Sequence, residues 1–265
     1  VTSVTHPFLL GPKPRAFAHR GWHIDDLDGM ENSRSAFRRA VEEGYRYIET
    51  DVRATADGVA VVHHDATLNR TTDGRGAIRM LRWDVVRQAK IGGREPVARL
   101  DDVLEELADT FFNIDVKDDH AVVPALRTIR AHNAWGRVCL ASFSEHRVRR
   151  LARLGGDRLL TSLGRGSALA LWTAAHLGDW PLRTVVSGSA AQVPPAVGSL
   201  RVIDPRFISR AHRWGLEVHA WTVDDAAEMH ALLDAGVDGL FTDRPDVLRD
   251  VLVQRGQQFP GEPVA

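Results

Sequence analysis

The chain has 265 residues, 44% of them hydrophobic and 26% charged, which is enough to bury a full core in one α/β domain. A formal charge of -1 offers no basic excess to a polyanion, so nucleic acid is excluded as an expected partner. The single cysteine, Cys139, rules out an intrachain disulfide and reads as a buried thiol in the apolar run Val138-Cys139-Leu140-Ala141. No stretch approaches the ~18 apolar residues needed to cross a bilayer, and the first residues lack the pattern of a signal peptide. A soluble, cytoplasmic protein of one domain, residues 1–265, is the expectation.

In chain order, strand-like runs alternate with amphipathic helices, the order of a parallel sheet, and eight such strands suit a (β/α)8 TIM barrel. The strands are predicted near Arg15 to His19, Arg46 to Val52, Phe111 to Val116, Arg137 to Ser142, Arg158 to Ser162, Leu200 to Ile203, Glu217 to Thr222 and Asp238 to Thr242. Thr184 to Ser187 competes with Leu200 to Ile203 for the sixth place. Asn32 or Ser33 suits the N-cap of a helix with the apolar stripe Ala36, Phe37, Ala40 and Val41, and Gly44 suits the left-handed residue after it. Asp204-Pro205 reads as an N-cap and first helical residue, with Gly215 as the stop. Asp224 opens the next helix, with Met229, Leu232 and Leu233 on its inner face and Gly236 after it. The tail from Gln254 to Ala265 is polar enough to be loose.

One segment breaks the alternation. Between Asp51 and His64 there is no room for a helix, but Ala56-Asp57-Gly58 makes a turn between Val52 to Thr55 and Val59 to His63. If Thr55 pairs with Val59, the returning arm of this hairpin brings His63 and His64 back to the level of Thr50 and Asp51.

Glu49 and Asp51 are two apart on a strand, so both side chains point to one face at its C-terminal end, where the active sites of barrels lie. Asp115 and Lys117 repeat the spacing on the third strand. One such pair alone is better explained by a solvated strand face or an ion pair, and it is convergence of pairs on two strands that points to a metal. Three convergent carboxylates repel one another unless a cation sits among them, and all-oxygen ligands favour Mg²⁺ or Ca²⁺, with Mn²⁺ also able to serve. His19, at the end of the first strand, and either His63 or His64 would supply groups that exchange protons near neutral pH. Only one of the adjacent pair can face the site. Arg20 and Lys117 would carry positive charge to a phosphate, and Trp221 would wall a pocket, with surface ion pairs and core packing as the plainer alternatives. His6, His23, His120, His132, His146, His176 and His212 read as surface or loop residues, and His219 and His230 as facing the helix layer or solvent.

Several motifs form an ordered set. They are Ala18-His19-Arg20-Gly21, Glu31-Asn32-Ser33, Ile48-Glu49-Thr50-Asp51-Val52, Val61-Val62-His63-His64-Asp65, Leu68-Asn69-Arg70-Thr71-Thr72, Asn113-Ile114-Asp115-Val116-Lys117, Ala220-Trp221-Thr222-Val223 and Thr242-Asp243-Arg244-Pro245. Over nearly the whole chain this set resembles the glycerophosphodiester phosphodiesterase family. The resemblance implies a metal held by Glu49, Asp51 and Asp115, catalysis by His19 and His64, and hence His64 over His63. It further implies that the segment from about Thr72 to Val97 is a small insertion at the substrate entrance, where Arg75, Arg79, Trp83 and Arg94 would influence headgroup choice. Two residues depart from the family pattern. Asp115 stands where Glu is common, and Trp22 stands where a small residue is usual and would narrow the pocket.

The implied reaction is hydrolysis of a small-molecule glycerophosphodiester to glycerol 3-phosphate and a free alcohol. Rival readings are a lyso- or sphingophospholipase D, which a long apolar surface at the barrel mouth would favour but no apolar run in the insertion marks, and a catalytically silent barrel that binds such diesters, which would have no need of an acid/base pair. Lyase chemistry at barrel-end carboxylates would leave His19-Arg20-Gly21 unexplained.

Overall fold

The computed structural model describes residues 6–178, 181–257 and 259. The strands are β1 (Arg15–His19), β2 (Tyr47–Ala54), β3 (Ala60–Val62), β4 (Phe111–Val116), β5 (Val138–Ala141), β6 (Leu160–Thr161), β7 (Ala190–Val193), β8 (Glu217–Ala220) and β9 (Gly239–Thr242). Eight of them run parallel in the order β6-β5-β4-β2-β1-β9-β8-β7, and β3 adds antiparallel to β2. A bridge between Ser162 and Ala190 joins the two ends, with hydrogen bonds from Leu163 N to Ala190 O (2.8 Å) and from Ser189 N to Thr161 O (2.9 Å). The result is a nearly closed eight-stranded parallel barrel of the TIM-barrel type. Around it lie α1 (Arg34–Glu42), α2 (Leu100–Glu106), α3 (Val122–Ala131), α4 (Glu145–Gly155), α5 (Arg165–Leu177), α6 (Pro205–Arg213), α7 (Ala226–Ala235) and α8 (Pro245–Gln254).

The strand period of two divides the apolar residues into two separate cores. Ile48, Val52, Phe112, Ile114, Leu140, Val218 and Leu240 pack outward with the helices. Their alternates Phe17, Tyr47, Cys139, Leu160 and Phe241 fill the barrel, whose lower end Phe8 closes. Phe8 meets Tyr47 and Phe111 edge-on at 5.3 and 5.8 Å, and Phe17 stacks on Phe241 at 4.1 Å. With the lower barrel packed by aromatics, chemistry is left to the upper end.

The sixth barrel strand is neither of the segments expected. It is Ala190–Val193, whose two alanines carry little strand propensity but fit the crowded barrel wall, and Pro194-Pro195 follow it. Thr184 lies in the short turn Pro181–Val185, and Leu200–Arg201 pairs with Ala196–Val197 in a two-stranded ribbon. Capping differs in detail as well. Ser33 caps α1, accepting from Ala36 N at 3.0 Å, while Asn32 is left-handed (φ 61°) and turns elsewhere. Asp225 rather than Asp224 caps α7, because Asp224 accepts from the Thr242 hydroxyl and from Asp243 N. Val41 sits toward solvent, and Gly44 has the expected left-handed conformation.

The hairpin after β2 forms as read. Thr55 N donates to Val59 O at 3.0 Å, Gly58 is left-handed, and His63 N donates to Asp51 O at 3.0 Å. Residues between this hairpin and α2 build a small core of their own, in which Leu68, Ile78, Val86, Ile91 and Val97 pack on Met30 and Val61. Within the tail, Phe259 is buried against the ring of Tyr45 at 5.0 Å; residues 258 and 260–265 lie outside the described residues. No described helix is long and apolar enough to cross a membrane.

Beneath the aromatic layer, Arg15 is buried and forms a two-pronged pair with Glu217, Nε to Oε2 at 2.9 Å and Nη2 to Oε1 at 2.8 Å. His219 is in step with Glu217 and therefore faces the barrel axis, not the helix layer or solvent, with its Nε2 3.0 Å from Glu217 Oε2. Burial alone would raise the Glu217 carboxyl, but the bonds from His219 and Arg15 hold it below the usual carboxylate range. The stabilisation is thus complete above the ordinary Glu range and is lost as pH falls through the lower folded value. Glu217→Gln, which strands a buried guanidinium, should cost about 3–5 kcal/mol in urea unfolding at pH 7. The gap between wild type and variant should narrow below about pH 4.

Candidate active site

Parallel register brings the acid groups together. His19, the last residue of β1, lies beside Glu49 of β2, and Asp51 lies beside Asp115 across β2 and β4. The Lys117 ammonium donates to Asp115 Oδ2 and contacts Asp51 Oδ1, both at 2.7 Å. Arg20 Nε is 3.3 Å from Asp51 Oδ2, a charge contact outside hydrogen-bond geometry, and its Nη1 donates to Glu31 at 3.0 Å. Asn32, released from capping, donates to Asp51 Oδ2 at 2.8 Å and accepts from the Thr50 hydroxyl at 2.7 Å. Gly21 lets the chain leave β1 sharply, since it is left-handed and a Cβ there would meet Ala36 at 2.8 Å.

The charges are unevenly balanced. Burial and the neighbouring Asp51 push the Glu49 carboxyl up to about 8, against the pull of His19, Lys117 and Arg20. Burial also raises Asp115, with Asp51 adding to it. Asp51 stays below the usual range because Lys117 and Arg20 outweigh its burial. Glu49 Oε2 and Asp115 Oδ1 are buried without a hydrogen-bond partner. Among the described residues no three acidic, histidine or cysteine side chains already converge as a finished metal cage. The donor set nonetheless fits a hard cation: the ligands are all oxygen, two oxygens are orphaned, and two carboxylates already share one cationic partner in Lys117.

The two candidate histidines are anchored alike. His19 Nδ1 is 2.6 Å from Asp243 Oδ1, and His64 Nδ1 is 2.7 Å from Asp65 Oδ1. A carboxylate only accepts, so in each ring Nδ1 carries the bonded proton and Nε2 is left for other atoms. For His19, burial acts to lower the pKa, but Glu49 and Asp243 overcome it and raise the value. Asp65 is held in turn by Arg70, which also grips Glu31, linking the His64 anchor to Arg20. His63 points the other way. It is buried, 3.1 Å from both the Asp65 carbonyl and the Thr71 hydroxyl, and burial lowers its pKa.

His19, Arg20, Glu49, His64, Asp115, Lys117 and Trp221 all open on one cavity of about 660 Å³, with Asp51 buried beneath Lys117. Phe143, Leu163, Leu169 and Trp172 form its far wall. No residue from 72–97 lines it, so the expected roles of Arg75, Arg79, Trp83 and Arg94 are not met in this cavity; Arg94 instead donates to the carbonyls of Asp26 and Asp28. Trp22 does not narrow the pocket either. It is buried away from it, edge-on to Tyr45 and under the Arg249 guanidinium. Sequence reasoning missed Asp243 and Asn32 as partners of the site, and it read His23 as peripheral, although His23 Nε2 lies 3.1 Å from Asp243 Oδ1. Asp243 had a visible signal, since it directly follows a barrel strand inside a quoted motif.

Comparison with known proteins gives the family. Residues 19–247 match the sequence profile described as the glycerophosphoryl diester phosphodiesterase family. The chain belongs to this family. It is 44% identical to the probable glycerophosphodiester phosphodiesterase 2 of Mycobacterium tuberculosis over 91% of this chain and 92% of that protein. The crystal structure of a glycerophosphodiester phosphodiesterase from Agrobacterium tumefaciens superposes with a TM-score of 0.72 at 25% identity, covering 90% of this chain and 99% of that one. A phosphodiesterase from Oleispira antarctica, solved with its product sn-glycerol-3-phosphate, superposes with a TM-score of 0.74 at 20% identity, covering 91% and 97%. As a member of the family the chain is an enzyme, a glycerophosphodiester phosphodiesterase, which disposes of the silent barrel.

If Asp243 orients His19, Asp243→Asn should lower turnover roughly 10²-fold or more, as loss of a histidine-orienting carboxylate does, with little change in KM. An unchanged turnover number in steady-state assays would remove Asp243 from the site.

Proposed function

We propose that the protein hydrolyses glycerophosphodiesters to glycerol 3-phosphate and a free alcohol, with His19 and His64 as its acid/base pair and Glu49, Asp51 and Asp115 as the holders of one divalent cation. The observation that carries this reading is the matched setting of the two histidines. Each has Nδ1 on its own carboxylate, and both open on the cavity that contains Glu49, Asp115 and Lys117. A pair set in this way suits proton transfer in both directions.

Glu49, Asp51 and Asp115 would hold the cation, Mg²⁺, Ca²⁺ or Mn²⁺, which when bound would supply Lewis-acid polarisation of the phosphate. Lys117 and Arg20 neutralise the remaining charge of the phosphate, Lys117 as a point charge and Arg20 as a planar fork. One of His19 and His64 takes a proton from the attacking oxygen, of water or of the neighbouring glycerol hydroxyl; in the second case the alcohol leaves a cyclic phosphate, which water then opens to glycerol 3-phosphate. The other gives a proton to the oxygen of the departing alcohol. Trp221 closes the cavity beside them. The product found in the Oleispira antarctica relative supports the glycerol 3-phosphate half of the reaction.

The test is turnover of glycerophosphocholine with Mg²⁺, Ca²⁺ and Mn²⁺ supplied separately. Release of glycerol 3-phosphate together with choline is expected, and inertness toward this and other glycerophosphodiesters would refute the reading. His19→Ala and His64→Ala should each lower turnover roughly 10²- to 10⁴-fold. His63→Ala should leave turnover within a few-fold of wild type and lower the unfolding midpoint, because that ring serves the packing of the hairpin. An inactive His63→Ala beside an active His64→Ala would reverse the assignment.

A further inference from the structure

A chain of hydrogen bonds crosses the barrel interior from Arg15 to the cavity, and its first member fixes the polarity of the rest. The Arg15 guanidinium only donates, so Glu217 accepts from it, and as a carboxylate Glu217 also accepts from His219 Nε2 at 3.0 Å. An imidazole whose proton is spent at Nε2 offers a bare Nδ1, and the atom that meets it, 3.4 Å away, is the Gln192 amide nitrogen. That nitrogen's other proton goes to Asn113 Oδ1 at 2.8 Å. Neither amide can turn over without losing these bonds. The ends left for the cavity that both residues line are an acceptor, Gln192 Oε1, and a donor, Asn113 Nδ2. Among the described residues no group of the protein bonds either atom.

Asn113 lies beside Glu49 in the register of β2 and β4 and two residues before Asp115 on the same face, so the amide pair adjoins the carboxylates. The other uncharged polar groups of the cavity have no such fixed polarity to offer. The Ser142 and Ser162 hydroxyls donate to the carbonyls of Val116 and Leu163, and the Thr222 hydroxyl turns to suit its neighbour. A fixed donor with a fixed acceptor matches a hydroxyl, which can use both, whereas a phosphodiester only accepts and an ammonium only donates. A glycerophosphodiester carries hydroxyls on the two carbons that follow its ester carbon, within reach of a site that holds the phosphate. We propose that Gln192 and Asn113 bind a hydroxyl of the substrate's glycerol and so set a preference for glycerol over simpler alkyl groups. The proposal rests on the phosphodiesterase reading and adds no step to the reaction.

The test measures inhibition of glycerophosphocholine hydrolysis by sn-glycerol 3-phosphate and by its 1-deoxy and 2-deoxy analogues, which lack the terminal and the middle hydroxyl. At least one analogue should inhibit the wild type roughly 5- to 100-fold more weakly than sn-glycerol 3-phosphate, the loss expected when buried hydrogen-bonding groups meet no partner. In Gln192→Met, which keeps the length of the side chain without either amide atom, that ratio should collapse toward unity. Asn113→Ala should lower the same ratio, so the test survives the failure of one variant to fold. Damage to packing alone would weaken all three inhibitors together and leave the ratio standing. The analogue whose ratio collapses identifies the hydroxyl. Ratios near unity in the wild type, or ratios unaltered in the folded variants, would overturn this proposal alone. Inertness of the wild type toward every glycerophosphodiester would overturn the phosphodiesterase reading and this inference with it.

Discussion

Three carboxylates held side by side inside a protein must be offset by positive charge, and the upper half of this barrel is built around that requirement. Strand register fixes Asp51 next to Asp115, and the two-residue spacing in β2 adds Glu49 below. Lys117 reaches back across two of the three acids, and Arg20 approaches Asp51 from the turn that Gly21 permits. Even so, Glu49 Oε2 and Asp115 Oδ1 remain buried without partners. Buried carboxylate oxygens left unpaired are costly, and a hard cation is the group that would satisfy them together.

The histidines face the same charge, His19 from beside Glu49. Each is tied by Nδ1 to a carboxylate outside the trio, Asp243 for His19 and Asp65 for His64. The ion pairs from Asp65 through Arg70 and Glu31 to Arg20 connect one anchor to Asp51. The site is therefore one charge network carried by β1, β2, β4, the hairpin and the loop after β9, fixed by a packed aromatic layer beneath.

Much of this was legible in the sequence because the rules involved are local. Alternation along a strand puts Glu49 and Asp51 on one face of β2, and Asp115 and Lys117 in step after it on the next strand, whatever the rest of the chain does. The Asp57-Gly58 turn likewise dictates a hairpin that returns to Asp51. What escaped depends on distant residues. His63 is claimed by Thr71 and the Asp65 carbonyl, so no local rule separates it from His64; only the family pattern did. Asp243 meets His19 across 224 positions. Ala190–Val193 is a strand because of its place in the ring, while the more strand-like Leu200 to Ile203 lies at the mouth. The far wall of the cavity comes from separate segments, none of them an apolar run and none within the 72–97 segment where the family resemblance directed attention.

The claim on which the rest depends is that Glu49, Asp51 and Asp115 form a cation site. The direct measurement is the thermal midpoint of the protein after chelation and then in rising Mg²⁺, Ca²⁺ or Mn²⁺, with Glu49→Gln and Asp51→Asn proteins in parallel. A ligand that binds only the folded state stabilises it by RT ln(1 + [L]/Kd). At least one of the three cations should raise the wild-type midpoint progressively and leave both variants unmoved. A wild-type midpoint indifferent to all three, or variants that rise equally, would contradict it.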